Sequence, residues 1–337
     1  AMSAASQVTA ANVSLVTNQG AGGGIGTAAR SLKVSVDRLF TFRPNGEFNV
    51  VLNGTGPNRL DMQLGVAATG TTYAGTLTKA GQVNLAASAT DTTVTVSDFT
   101  VSAGFDDLVF NNSPLISLNV PNGNLIAQNV AMPAGDQTGR NSLSFPFPLV
   151  YQSLPVTLSA RDNLTVDNYA RSNGAQVKST TFSSSLGSVT LGSIGAAGDS
   201  ISITAPTDFT LVSGLTTRGN VTINAATGAA DTGNVTLGGS GIDTSAGSGS
   251  VTINAGSAIA GQGEVRAAAD STALEIHAGG SVSISARSID TAGFANPLDI
   301  QAPSVSLTTT GPSLGHTGSP VVANTATLTV NAAGNFN

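Results

Sequence analysis

Short apolar-x-apolar triplets recur through the second half of this 337-residue chain at a spacing near 23 residues, and no other feature limits its folding as tightly. Three series can be read, each bounded by Gly, Asn, Ser and Pro. The first begins at Val189, Leu211, Val235, Ile259, Val282, Val305 and Leu328. The second begins at Ile194, Leu215, Ile242, Val265, Ile289 and Leu314, and the third at Ile201, Val221, Val251, Leu274, Leu298 and Val321. Their order within a turn never changes. Alternation with period two makes each triplet a strand whose first and third side chains share one face. Three strands per turn of about 23 residues predict an all-β, right-handed parallel β-helix. In such a solenoid each turn buries its apolar face only by stacking on the next.

A polar residue closes each triplet of the third series: Thr204, Asn224, Asn254, His277, Gln301 and Asn324. Ala follows at 205, 225, 255, 278 and 302, as a tight corner requires. Stacked at the inter-strand spacing of about 4.8 Å, these residues predict one side-chain ladder along a corner. Such a ladder supplies partners to backbone groups that the bend leaves unpaired.

Residues 181–337 read as the regular part of the coil, and 1–180 as the same coil with irregular excursions. Triplets at Val13, Val34, Val83, Val94, Leu108 and Ile116 read as further strands, with spacings of 21 (13 to 34), 22 (94 to 116) and 25 (83 to 108). The largest excursion is Asn129–Pro155, with Pro133, Gly135, Gly139 and Ser-Phe-Pro-Phe-Pro; a separate small β-domain there is the alternative.

Composition removes whole classes. Only 9% of residues are charged, against about 25% in an average soluble domain. With 40% hydrophobic residues and a net charge of −6, the chain is not a disordered one. No run approaches the roughly 20 apolar residues of a spanning helix. Thirteen cations and a pI of 4.7 give neither a nucleic-acid footprint nor a polybasic membrane patch. The absence of Cys removes disulfides, thiolate metal sites and a Cys nucleophile. Ala1-Met2-Ser3-Ala4-Ala5 leads into polar residues rather than the apolar core of a signal peptide, and Ala1-Met2 reads as a leftover of excision from something longer. Neither terminus reads as a cap, so the end turns are expected to expose strand edges and apolar side chains.

The segment Gly24-Ile-Gly-Thr-Ala-Ala-Arg30-Ser-Leu-Lys-Val-Ser-Val-Asp-Arg-Leu39 resembles a unit that recurs in large filamentous-haemagglutinin-like exoproteins. So does the cadence of Gly-Asn-Val-Thr-Ile-Asn-Ala and Gly-Ser-Val-Thr-Ile-Asn-Ala. The resemblance implies a long right-handed β-helix, action as a bacterial surface adhesin, and export through an outer-membrane β-barrel partner. The Asn-Pro-Asn-Gly-type motifs of the family's secretion domain are approached only at Arg43-Pro-Asn-Gly46 and Val120-Pro-Asn-Gly123. That departure places the chain in the shaft.

Chemistry-bearing residues are few. His277 stands at the ladder position and His316 in a loop; neither has carboxylates at metal-ligand spacing. Asp106-Asp107 is the only adjacent acid pair, able to flank one bond at a turn but not within a strand. Gly20-Ala-Gly-Gly-Gly-Ile-Gly26 lacks the Lys of a phosphate loop. Asp199, Asp231, Asp243 and Asp290 do not form a calcium-binding column, and Ser248 sits in no hydrolase elbow. Outward positions read as Thr190, Ser202, Thr222, Thr236, Thr252, Glu275, Ser283, Asp299, Ser306 and Thr329. Contact, where present, is expected at Asn129–Pro155 or at the aromatic region Phe40–Phe48, since loops on rigid scaffolds carry function.

The reading is a structural shaft or binding segment of a secreted bacterial surface adhesin, meeting host or bacterial cells or glycans. No catalytic, cofactor-binding or metal-binding residue is assigned, and neither nucleic acid nor a transmembrane segment is expected. The alternative is a polysaccharide-active hydrolase or lyase on the same fold.

Overall fold

The computed structural model describes residues 7–16, 25, 30, 32–35, 38–42, 48–52, 58–63, 82–87, 92–97, 115–120, 123–128, 130–132, 155–171, 178–226, 233–256, 263–271, 274–289, 296–311, 313–316 and 320–336. Every regular element among them is a strand, and none is a helix able to cross a membrane. Among the described residues the strands pair in parallel, turn upon turn at a step near 24 residues: the protein is a parallel β-solenoid. It divides into two compact units, 1–160 with 169–180, and 161–168 with 181–337.

In the second unit one strand of each turn joins a sheet here called sheet A. Its strands Asp199–Ala205, Val221–Ala225, Val251–Ala255, Ser281–Ala286, Ser304–Thr309 and Thr327–Ala332 stack in that order. Register is kept from turn to turn: Ile203 pairs with Ile223, Ile223 with Ile253, Ile253 with Ile284, and Ile284 with Leu307. Each of these side chains is at most 2% exposed. β-branched residues fit this place because their stiff χ1 packs well on a pleated surface. The chain then turns to a second wall, sheet B. Early turns cross it as one long strand, Val189–Ala196 and Phe209–Thr217, with a register shift between Leu191 and Ser193. Later turns break it in two, as Val235–Leu237 with Ile242–Asp243 and Glu264–Ala267 with Ile276–His277. Gly241 makes one break possible. Its φ is +68°, and a Cβ there would lie 2.3 Å from the backbone oxygen of Glu275.

Register corrects the three series. Val189, Phe209, Val235, Val265, Ile289 and Leu314 form one line of sheet B, and Ile194, Leu215, Ile242, Ile276 and Ile300 another. Beyond residue 255 each series therefore slips by one line: Val282, Val305 and Leu328 of the first lie in sheet A, Val265 of the second moves to the other line of sheet B, and Leu298 of the third lies in sheet B. The reason is corner length. One residue, Arg287, separates Ala286 from Ser288, whereas residues 226–234 separate Ala225 from Val235. The turn-to-turn step thus grows to 30 at Asn224 to Asn254 and 31 at Ser250 to Ser281. Ile259 lies outside the described residues.

The first unit repeats the plan. Strands Leu32–Ser35, Phe48–Leu52, Gln82–Ala87 and Leu115–Val120 belong to one sheet, and Asn12–Val16, Arg38–Phe42, Asn58–Gln63, Thr92–Ser97 and Gly123–Gln128 to the other. Val13 thus pairs with Leu39 and Val34 with Val8, and Val83 pairs with Ile116, so the spacings of 21 and 22 link different sheets rather than successive turns. Leu108 and most of Asn129–Pro155 lie outside the described residues. Buried Tyr169 and Arg171 both meet Thr180, through Oη···Oγ1 at 2.8 Å and Nη1–H to Oγ1 at 3.4 Å. In the last turn Leu328 and Val330 are 48% and 36% exposed, against 2% for their register partners Val305 and Leu307.

Truncating Ile253 removes a side chain stacked on both sides. Ile253→Ala is expected to cost about 2–5 kcal/mol, read from the urea midpoint. A loss below about 0.5 kcal/mol would mean that the column collapses around the cavity.

Candidate functional site

Strict register places like residues beside like on the outer side of sheet A. The middle row is Ser202, Thr222, Thr252, Ser283, Ser306 and Thr329. A second row is Thr204, Asn224, Asn254, Ser285, Thr308 and Asn331. A third, just before the strands, holds Asn220, Ser250, Ser281, Ser304 and Thr327. Every member is half-exposed or exposed, and none is charged or apolar. Rungs repeat at about 4.8 Å and rows at about 6.6 Å, two residues along a strand. Two like charges one rung apart would repel by about 1 kcal/mol even in water. Hydroxyls and amides avoid that repulsion and bond to one another.

They do so here. Asn254 Nδ2–H donates to Asn224 Oδ1 at 2.8 Å. The Ser250 N–H donates to Asn220 Oδ1 at 2.9 Å, and the Ser281 N–H to Ser250 Oγ at 3.1 Å. The same device guards the entry to sheet B, where Asp208 Oδ1 accepts from the Asn234 N–H and Asn234 Oδ1 from the Glu264 N–H, at 2.8 and 3.0 Å. These side chains satisfy corner donors that no strand pairs. The expected ladder therefore exists, divided differently: Thr204, Asn224 and Asn254 run on into Ser285, Thr308 and Asn331.

His277, Gln301 and Asn324 belong to sheet B, in a row with Thr216 and Asp243. His277 Nδ1 lies 3.8 Å from Asp243 Oδ1, which also accepts from the Ser245 N–H and Oγ. A shallow groove of about 300 Å³ runs past His277, Gln301, Pro303, Asn324 and Thr325. One position before the register partners Ile276 and Ile300 stand Glu275, at the entry to its strand, and Asp299. The Asp299 N–H donates to Glu275 Oε2 at 2.6 Å. Glu275 is 1% exposed, and its Oε1 and the Asp299 Oδ1 are buried without a hydrogen-bond partner. Burial first, and the charge on Glu275 second, push the Asp299 carboxyl above its ordinary value. The sequence reading sets both acids at the same outward position of successive turns in the third series; the structure keeps them in neighbouring turns but buries Glu275.

Ser248 sits in a turn, as the sequence indicates, whereas His316, read as a loop residue, is exposed at a β-bridge. Asp199 is buried, and its carbonyl accepts from Thr217 Oγ1 at 2.6 Å. Asp106, Asp107, Asp231 and Asp290 lie outside the described residues, as does Gly20–Gly26 apart from Ile25. Among the described residues no three His, Asp or Glu gather as metal ligands. No family model matches the chain, and no curated protein or solved structure is significantly similar to it.

The amide bond can be weighed directly. Asn254→Ala is expected to cost about 0.5–1.5 kcal/mol of stability, and adding Asn224→Ala should cost little more, because both changes delete the same bond. Additive losses in a double-mutant cycle on denaturation would show that the bond contributes nothing.

Proposed function

We propose that this chain is a structural shaft and binding segment of a secreted bacterial surface adhesin, and that the outer side of sheet A is its contact surface. The observation that supports this reading is the uncharged lattice of Ser, Thr and Asn on a continuous parallel sheet. A rigid array of neutral donors and acceptors suits many weak hydrogen bonds to a hydroxyl-rich partner such as a cell-surface glycan. Charged residues would narrow the partners by their sign. The exoprotein resemblance of Gly24–Leu39 supports export through an outer-membrane β-barrel and display on the cell.

Placing charges within the lattice tests the surface. Thr252→Asp with Ser283→Asp is expected to weaken binding to cells or arrayed glycans roughly tenfold or more, with the circular-dichroism spectrum unchanged. Unaltered binding in that variant, with loss on removing 133–154, would move the contact to the excursion. The shaft role makes a separate prediction. Deleting 281–303 brings Ser304 into the register of Ser281, so the shortened chain should still unfold cooperatively, with a lowered Tm. A single turn that cannot be spared would contradict a modular shaft.

One observation favours a second reading, a polysaccharide-active enzyme. Glycoside hydrolysis uses two carboxyl groups held in different protonation states, and Glu275 and Asp299 are adjacent acids of which one holds its proton more tightly. The burial of Glu275 weighs against access by a polymer chain. Polysaccharide turnover abolished by Glu275→Gln, Asp299→Asn or Asp106→Ala with Asp107→Ala would replace the adhesin reading.

A further inference from the structure

Glu275 and Asp299 pose a problem of charge that the fold must resolve. Glu275 stands just before Ile276–His277 and Asp299 within Leu298–Gln301, neighbouring strands of sheet B, bound by the Asp299 N–H to Glu275 Oε2 contact of 2.6 Å. Each has a second oxygen that is buried and has no hydrogen-bond partner. Among the described residues neither forms an ion pair. Other charged groups of these turns are engaged elsewhere: Arg266 pairs with Glu264 at 3.5 Å, and His277 faces Asp243 at 3.8 Å. Asp270, between the strands of the Glu275 turn, directs Oδ1 toward Gly238. The following turn offers Val322 opposite Asp299. Two like charges so placed, partly removed from water, repel more strongly than at the surface. A metal ion would need further donors, and no third His, Asp or Glu joins the pair. A proton needs neither donors nor room.

We propose that Asp299 is a proton-loaded seam between two turns of the solenoid: protonated, it lets the Glu275 and Asp299 rungs stack, and losing its proton loosens them. The proposal is independent of the adhesin reading. The raised Asp299 carboxyl agrees with it, burial being the larger cause and Glu275 the smaller. The sign follows from linkage. A group that binds its proton more tightly folded than unfolded adds stability below its unfolded value, here near 3.8, and that stability is lost as the pH rises through the folded value. This is the reverse of a salt-bridged carboxylate.

Thermal unfolding of the full chain from about pH 4 to about pH 8, in wild type, Asp299→Asn and Glu275→Gln, tests the seam. Wild type should lose Tm as the pH rises. Asp299→Asn, which cannot ionise, should show a flatter profile and a Tm at or above that of wild type near pH 8. Carbon NMR of the Asp299 carboxyl, reading the wild type alone, should titrate above the range of exposed Asp residues. A variant profile parallel to that of wild type, or an Asp299 signal in the ordinary range, would overturn the proposal. So would stabilisation of wild type by millimolar calcium chloride that Asp299→Asn abolishes, since the compensating cation would then be a metal.

Discussion

Parallel hydrogen bonding between successive turns is the constraint on which everything else in this molecule rests. Backbone donors and acceptors of one strand need partners on both sides, and in a solenoid only the turns before and after supply them. Pairing fixes the distance between turns at about 4.8 Å and the register to the residue, because a one-residue slip would turn every apolar side chain outward. Ile203, Ile223, Ile253, Ile284 and Leu307 are stacked side chain on side chain for this reason.

Stacking acts on polar residues as it does on apolar ones. A residue type at an outward position is repeated every 4.8 Å, so whatever it does it does in a row. Repeated Asn and Ser become ladders that satisfy corner N–H groups, and repeated Thr and Ser become a neutral surface. Repeated acids become a liability. Where the carboxyls of Glu275 and Asp299 follow each other in neighbouring turns, a carboxyl is pushed toward its protonated form. The low charge of the chain, 9%, has the same origin, since like charges one rung apart repel.

Much of this was legible in the residues. The Val-Thr-Ile-Asn-Ala segments at 221–225 and 251–255 announce strand, inward face, outward face and corner together, and the structure pairs them in that register. Columns were not legible beyond residue 255. Val-x-Ile looks the same in sheet A and in either line of sheet B, and a constant pitch of 23 does not anticipate the steps of 30 and 31 that the structure takes at Asn224 to Asn254 and Ser250 to Ser281. From that point His277, Gln301 and Asn324 joined a ladder that belongs to the other wall. The continuity of the sheet A lattice past Asn254 was not legible for the same cause, whereas Glu275 and Asp299 fall in successive turns already in the sequence and only the burial of Glu275 came from the structure.

What the sequence determined by itself is the kind of coil. Period-two triplets, small polar corners and scarce charge admit a parallel β-helix because local alternation and turn chemistry are properties of neighbouring residues. What only the tertiary structure decided is which residues from different turns meet. One residue, Arg287, joins one strand of sheet A to sheet B and nine residues separate another from it, and the ladders between turns continue past both. Hydrogen bonding between turns depends on where a strand arrives and not on how much chain was used to reach it.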